Sequence, residues 1–309
     1  MGGLTLLLFR GVAWIYYFQP FFLRKLWGKT LGRILRALRF RSNVVRQNVE
    51  YAKKHLESMG QPFDSERIYA AAYEHLGNLV FEILMLFGPM RLFIEKKGIM
   101  RGWEHWEHAL QKGKGVIFLS SHVGNWEFMA GIGGIHGKVP VMLVTKHLKP
   151  EWLHQAVEKA RARLLVSATY EPKTLRDVLG SLKRNGTVGF VLDQYAGPPV
   201  GVRVPVFGIP VGTMTAVAYL AKRTGATVLP VMNYRTTDGR VIAEIRAPLE
   251  WESHPDPAYE IAVNTARYAR ELEKDIYAHP DQWLWIHRRF KGDLSELREG
   301  EWQEGRPRR

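Results

Sequence analysis

The chain has 309 residues and no cysteine. This absence excludes structural disulfides, thiolate-ligated zinc or iron–sulfur sites and a cysteine nucleophile, and it fits a reducing compartment. The content of 46% apolar and 12% aromatic residues is too high for a disordered or collagen-like chain. We therefore expect a globular protein of one or two domains.

Acidic residues are missing from the first 49 positions, which contain nine lysines and arginines. Three more arginines lie in residues 306–309, so the remaining chain is close to neutral although the formal net charge is +14. This distribution indicates a basic appendage rather than a basic protein surface. A nucleic-acid-binding protein is a distant alternative, because the body contains no known nucleic-acid-binding motif.

A long uninterrupted hydrophobic run is also lacking. Leu4 to Phe9 is apolar, Arg10 follows, and residues 11–23 carry no charge but contain Pro20. A helix over residues 11–23 reaches only about 20 Å, less than the hydrocarbon core of about 30 Å, unless Arg10 snorkels. A secretory signal peptide is not expected, because the positive charges follow the apolar run. The sequence leaves open whether residues 4–23 span a membrane or lie on it.

The next segment, Leu23 to Arg41, predicts a basic amphipathic helix. Its apolar residues recur at helical spacing with lysines and arginines between them, at Leu23, Trp27, Leu31, Ile34, Leu35 and Leu38. We interpret this helix as lying on an anionic membrane surface, and an ordinary surface helix with a solvated basic face is the alternative. Residues 1–41 are therefore expected to bind the membrane, and residues 42–309 to form one further domain.

From residue 42 onward, two helical segments are followed by alternating strands and helices. The helical segments are residues 43–58, 65–87, 125–135, 151–164, 174–184 and 213–223, with Ser65 and Thr213 as the expected caps of the second and the last. The strands are residues 116–120, 139–144, 187–192, 227–231 and 241–245. This order predicts an α/β layered sandwich with a largely parallel central sheet flanked by helices, in addition to the N-terminal membrane-associated helices. Function in such sheets gathers beyond the carboxyl ends of the strands.

The first candidate site follows the strand 116–120 and contains His122, Asn125 and Glu127. If Gly124 forms a tight turn and Asn125 caps the next helix, His122 and Glu127 can face one cleft. A carboxylate bonded to one imidazole nitrogen would make the other nitrogen a better base toward a hydroxyl. The free amides at the start of this helix could also help to hold an oxyanion.

Purely structural roles for these two residues remain open. His122 could be a hydrogen-bonded loop histidine, and Glu127 a first-turn acid that complements the helix dipole. A metal site is disfavoured, because no second ligand stands at suitable spacing and H-E-x-x-H is absent. Without a G-x-S-x-G motif or a cysteine, a covalent acyl-enzyme has no obvious nucleophile, which leaves direct transfer between two bound substrates.

Two further clusters carry polar residues. Asp193 and Gln194 end a buried strand, and a Gly/Pro loop leads to VFGIPVGT, which contains Gly208 and Thr213. Here Asp193 could instead cap a turn and the glycines could serve only turns. The third cluster, WLWIHRRFK at residues 283–291, interleaves aromatic residues with basic ones such as Arg288, which could hold phosphate groups or an apolar ligand.

In this order, the blocks SSHVGNWE, LDQ, VFGIPVGT, TGATVLPV and PDQWLWIHRRFK resemble the bacterial lipid A biosynthesis (late) acyltransferases of the lysophospholipid acyltransferase superfamily. The resemblance covers nearly the whole chain. It implies that His122 is the general base for an acceptor hydroxyl and that Glu127 orients it. It further implies transfer of a fatty acyl group from an acyl carrier protein or coenzyme A thioester to a glycolipid or lysophospholipid hydroxyl, without a metal or other cofactor, at the cytoplasmic face of the inner membrane. On this basis we expect substrate-binding roles for Asn125, Lys146, Arg163, Asp193, Gln194, Gly208, Thr213 and Arg288.

Two departures from the family pattern affect the choice of substrate. Lys146 stands where many members have an arginine, and residues 204–208 lack two of the aromatic rings of the common F-x-F-F-G run. We expect a membrane-bound acyltransferase that acts on a lipid A precursor or a related glycolipid. A phosphatidylinositol mannoside or lysophospholipid acyltransferase is the alternative.

Overall fold

A computed structural model describes residues 2–291 and the two short strands 302–303 and 306–307. The helices are α1 (Gly2–Phe18), α2 (Phe21–Ala37), α3 (Ser42–Ser58), α4 (Ser65–Leu84), α5 (Met90–Lys97), α6 (Trp103–Gln111), α7 (Trp126–Gly137), α8 (Glu151–Ala162), α9 (Thr174–Lys183), α10 (Ala216–Thr224) and α11 (Pro257–Ala278). The strands are β1 (Gly98–Arg101), β2 (Val116–Ser120), β3 (Val141–Val144), β4 (Val166–Thr169), β5 (Thr187–Val191), β6 (Gly201–Val206), β7 (Ile209–Met214), β8 (Thr227–Arg235), β9 (Val241–Ile245), β10 (Trp302–Gln303) and β11 (Arg306–Pro307). Single 3₁₀ turns cover Met85–Phe87 and Pro280–Gln282.

Seven strands form one sheet in the order β1-β9-β8-β2-β5-β3-β4. All neighbours in it are parallel except β8 and β9. Because side chains alternate along a strand, Val116 and Phe118 face the layer that contains α5, α6 and α7, and Ile117 and Leu119 face α9, α10 and α11. The predicted α/β sandwich with a largely parallel sheet is confirmed.

A second apolar core lies outside the sheet layers. It joins α3, α4 and α11 to the β6–β7 hairpin and to the segment 283–290, with Phe207, Trp283 and Trp285 almost completely buried. Trp283 packs edge to face on both Trp285 and Phe207, at 4.6 Å and 5.9 Å between ring centroids. This core fixes the C-terminal segment against the chain that follows β5.

The sequence prediction found the five strands in the middle of the chain and missed several elements. Missed were β1, β4, β6, β7, α5, α6 and the longest described helix, α11. Asp256 caps α11 and Pro257 occupies its first turn, which is a recognisable start signal. Two predicted caps are wrong. Asp64 rather than Ser65 caps α4, and Thr213 lies in β7, because the chain first returns as a hairpin strand before α10 begins at Ala216.

The first two helices pack against the body of the protein. The chain bends between α1 and α2 at Pro20, and α2 lies along α4 at a very close approach. At this contact a Cβ on Gly77 would lie 2.1 Å from the carbonyl oxygen of Gly28, so a side chain there cannot be accommodated without moving a helix. Tyr16 of α1 is buried and stacks on Phe81. The basic N-terminal helices α1 and α2 are thus held in a fixed position against α4.

Among the described residues, no single helix combines the length and apolar composition needed to cross a bilayer. Within the part of the chain that the structure describes, residues 65–87 together with α5 pass on both counts, as a pair bent by 113°.

Candidate active site

The register of β2 against β5 brings His122 and Asp193 together. Ser120 at the end of β2 pairs with Val191 at the end of β5, and each candidate residue follows two positions later. The Nδ1 atom of His122 lies 2.6 Å from Oδ1 of Asp193, and the backbone N–H of His122 donates to Oδ2 at 2.7 Å. Two neighbouring parallel strands therefore deliver an imidazole and a carboxylate to the same point of the sheet edge.

Asp193 is buried and accepts a third hydrogen bond, from Nε1 of Trp283 at 2.7 Å. Burial alone would raise the pKa of Asp193, but the charge and hydrogen bonds of His122 and the Trp283 N–H outweigh it and hold the pKa below its usual range. An ionised Asp193 can only accept, so Nδ1 of His122 carries the shared proton. In the neutral imidazole, Nε2 then carries the lone pair and can act as a base.

The turn after β2 forms as the sequence predicts. Gly124 has a φ of +66°, and the Asn125 side chain accepts hydrogen bonds from the amides of Glu127 at 3.0 Å and Phe128 at 3.4 Å. A Cβ on Gly124 would lie 2.4 Å from the side-chain oxygen of Asn233, which explains the glycine. Because Asn125 is buried and occupied as a cap, it is not available to a substrate, and the amides of Glu127 and Phe128 are not free to hold an oxyanion.

The sequence predicts that Glu127 contacts His122, but the structure shows no such contact between the two described side chains. Its carboxylate accepts from Nε of Arg161 at 3.1 Å and from Nη2 at 2.6 Å, and both side chains are more than nine-tenths buried. Burial would lower the pKa of Arg161, but the paired charge of Glu127 raises it above its ordinary value. Asp193 therefore takes the orienting position that the sequence analysis gave to Glu127, because the first helical turn directs Glu127 toward α8.

The side-chain amide of Gln194 lies between His122 and His287. The Gln194 side-chain amide lies 3.3 Å from Nε2 of His122 and 3.3 Å from Nε2 of His287. Burial is the main cause that lowers the pKa of His287 to about 4, with a smaller contribution from the neighbouring His122, so His287 is neutral at neutral pH. Gln194 thus lies beside the nitrogen that would act as the base, and its substrate-binding role stays a prediction.

The other expected substrate-binding residues occupy different surroundings. Lys146 is exposed. It lies near enough to His287 for its charge to contribute to the lowered pKa of His287. Gly208, with a φ of +70°, forms the turn of the β6–β7 hairpin, and Thr213 is buried with its hydroxyl bonded to Arg289. Arg163 lies exposed just beyond α8.

The two arginines named from the sequence lie one or two positions away from the buried ones. Arg161 rather than Arg163 faces inward from α8, since only one phase of a helix points to the core. Arg289 rather than Arg288 is buried, and its Nη1 donates to the carbonyl oxygens of Gln194 at 3.1 Å and Gly212 at 2.6 Å. Arg289 therefore holds the loop after β5 to the hairpin.

The arrangement suits removal of a proton from a hydroxyl. An oriented imidazole with a buried ionised carboxylate behind it has the arrangement of a general base. Within residues 2–291, no group of three or more histidines, aspartates or glutamates is placed to hold a metal ion.

Comparison with known proteins identifies one family. Residues 4–292 match the family described as "Bacterial lipid A biosynthesis acyltransferase". The lipid A biosynthesis lauroyltransferase of Escherichia coli K12 is 26% identical over 286 residues, which cover 91% of this chain and 89% of the relative. The phosphatidylinositol mannoside acyltransferase of Mycobacterium tuberculosis H37Rv is 28% identical over 241 residues, 75% of this chain and 72% of the relative.

The buried pair predicts a large cost for Arg161→Ala. Removing one partner leaves Glu127 as an uncompensated buried charge, which costs about 3–5 kcal/mol in the free energy of unfolding. Arg163→Ala is the matched control, and because Arg163 is exposed we expect a change within about 0.5 kcal/mol. Denaturant unfolding of both variants checks this, and equal stabilities would contradict the structural role of the pair.

Proposed function

Because this chain belongs to the bacterial lipid A biosynthesis acyltransferase family, we propose that it transfers a fatty acyl group from an acyl carrier protein or coenzyme A thioester to a hydroxyl of a lipid A precursor or a related glycolipid. The chain is an acyltransferase that acts on a glycolipid. The nature of the donor, the precise acceptor and the catalytic residues are part of the proposal. The observation that carries the mechanism is the hydrogen bond from His122 to Asp193, which leaves Nε2 as a base.

The proposed reaction is a direct transfer. Nε2 of His122 takes the proton of the acceptor hydroxyl while the hydroxyl oxygen attacks the thioester carbonyl carbon. A carbon–oxygen bond forms, the carbon–sulfur bond breaks, and the departing sulfur takes the proton from His122. The carboxylate of Asp193 stabilises the imidazolium that exists between these two proton transfers. Gln194, which contacts Nε2 in the free protein, must give way to the hydroxyl.

Glu127 supports this reaction from a distance in our proposal. Its bond to Arg161 fixes the first turn of α7, the same turn that Asn125 caps directly after the His122 loop. Glu127 is therefore a positioning residue, and His122 is the residue that contacts the reacting hydroxyl.

A phosphatidylinositol mannoside is the second candidate acceptor. It is favoured by the mycobacterial relative, which is 28% identical over 75% of this chain, against 26% over 91% for the lauroyltransferase. Parallel assays with a lipid A precursor and a phosphatidylinositol mannoside, each with acyl carrier protein and coenzyme A donors, separate the four combinations.

We propose that α1 and α2 bind the surface of the inner membrane on its cytoplasmic side. Large apolar side chains on α1 recur at helical spacing and are exposed, among them Leu4, Leu7, Leu8, Ile15 and Phe18. The stripe continues on α2 with Phe22 and Leu26, and basic residues such as Arg10 and Arg33 stand beside it. An apolar stripe flanked by cationic side chains fits a bilayer with anionic headgroups.

Three variants test the catalytic assignment. We expect His122→Ala and Asp193→Asn each to lower kcat/KM by about 10²–10⁴-fold, because the first removes the base and the second removes the charge that stabilises the imidazolium. Glu127→Gln should lower thermal stability as well as activity, since it breaks the Arg161 pair. Circular dichroism checks that each variant folds.

Two results would oppose this assignment. Full activity of folded His122→Ala would remove the general base. Full activity of Asp193→Asn, combined with an inactive Glu127→Gln of normal stability, would return the orienting role to Glu127.

The membrane-binding surface is tested by replacing Leu8, Phe18 and Phe22 with Gln. Each side chain is more than 60% exposed, so the fold should survive, whereas binding to anionic vesicles should weaken at least about tenfold. The control replaces Leu175, Val200 and Tyr219, which are similarly exposed elsewhere. Equal vesicle co-sedimentation of the two triple variants would exclude this surface.

A further inference from the structure

A basic pocket of about 940 Å³ lies beside the proposed active site. It is formed where α2 ends and α3 begins, with the start of α4 and the C-terminal segment as its other walls. Its charged lining is Arg36, Arg39, Arg41, Arg46, Arg288 and a single acid, Glu66. Glu66 is exposed and pairs with Arg46 at 3.3 Å, so the pocket keeps an excess of positive charge.

Most of these guanidinium groups are not committed to the protein. Arg46 pairs with Glu66, and Arg41 donates one hydrogen bond, to the carbonyl oxygen of Ile286 at 3.1 Å. The guanidinium groups of Arg36, Arg39 and Arg288 have no hydrogen bond or ion pair to any residue of the part of the chain that the structure describes. Arginines remain charged at all physiological pH values, so a cluster of this kind repels itself unless an anion is bound.

The backbone of the pocket is also unusual. Arg39 has a φ of +51° and Arg41 a φ of +53°, the left-handed region where glycine or asparagine is the ordinary choice. Two non-glycine residues within three positions therefore hold an unfavourable conformation that directs their side chains around the cavity.

The pocket and the site of His122 share one wall. Asn48 of α3 donates to the carbonyl oxygens of Trp285 and His287, both at 2.7 Å, and so fixes this segment. Arg288 lines the pocket, while the ring of the preceding residue, His287, lies 5.0 Å from the ring of His122 between centroids. The pocket and the site of His122 are thus linked through the consecutive residues His287 and Arg288.

From this geometry we infer that the pocket binds a phosphoryl group of one of the two substrates. Planar guanidinium forks bind phosphate oxygens in pairs, and several around one cavity suit a group with two or more negative charges. This inference rests on the proposed function, in which two sources are available. The pantetheine arm of an acyl donor carries a phosphate, and a phosphorylated glycolipid acceptor carries one on its headgroup.

The test compares two triple variants that remove the same net charge. The pocket variant is R36Q/R39Q/R288Q, and the control, R176Q/R184Q/R223Q, changes exposed arginines that line neither the pocket nor the proposed membrane-binding surface. Inorganic pyrophosphate is titrated calorimetrically into each detergent-solubilised full chain. We expect binding to wild type and control, and at least about tenfold weaker binding to the pocket variant.

The kinetic arm identifies the source. The pocket variant should raise KM for one substrate by at least about tenfold, with a smaller effect on kcat, and the substrate affected carries the phosphoryl group. No pyrophosphate binding to wild type, or equal weakening in both variants, would overturn the inference. Loss of vesicle binding with pyrophosphate binding retained would also overturn it, in favour of bilayer attraction. The calorimetric titration measures binding without turnover. A failure of the proposed acyl transfer would therefore appear in the kinetic arm alone and is distinguishable from a failure of phosphoryl binding.

Discussion

The hydrogen bond between His122 and Asp193 is the interaction on which the organisation of the site depends. It joins the ends of β2 and β5, and the indole of Trp283 completes the bonding of the carboxylate from a third, distant segment. That segment is fixed beside the His122 loop, since Leu284 N–H donates to the carbonyl oxygen of His122 at 3.1 Å. The second apolar core, formed by α3, α4, α11 and the hairpin, serves to hold this segment in place.

Two buried carboxylates therefore make different contacts at one edge of the sheet, Asp193 with His122 and Glu127 with Arg161. Asp193, on the strand side, is kept ionised by its hydrogen bonds and sets the tautomer of His122. Glu127 of α7 forms an ion pair with Arg161 of α8, which balances its charge and links the two helices. A buried ion pair contributes little net stability against apolar side chains, but it specifies one arrangement of the two helices. The position of α7 in turn fixes the turn at Gly124 and the direction of His122.

Local signals in the sequence were sufficient for the α/β class, the turn at Gly124 and the cap at Asn125, because each depends on residues close in the chain. The partner of His122 could not be found in this way. It lies 71 residues away, and only the pairing of β2 with β5 brings it near. Arg161 and Arg289 were missed because the composition of a helix or loop does not give its phase relative to the core. The N-terminal segment was recognised as basic and amphipathic, whereas its close glycine contact with α4 depends on tertiary packing.

The tautomer of His122 tests the central claim most directly. In protein labelled with ¹⁵N at histidine, two-bond ¹H–¹⁵N correlation spectra at neutral pH distinguish a protonated Nδ1 from a protonated Nε2, and the His122→Gln variant assigns the signals. We predict that His122 is protonated at Nδ1, that its Nε2 is unprotonated, and that Asp193→Asn shifts both signals while Arg163→Ala shifts neither. A His122 protonated at Nε2, with signals insensitive to Asp193→Asn, would contradict the account.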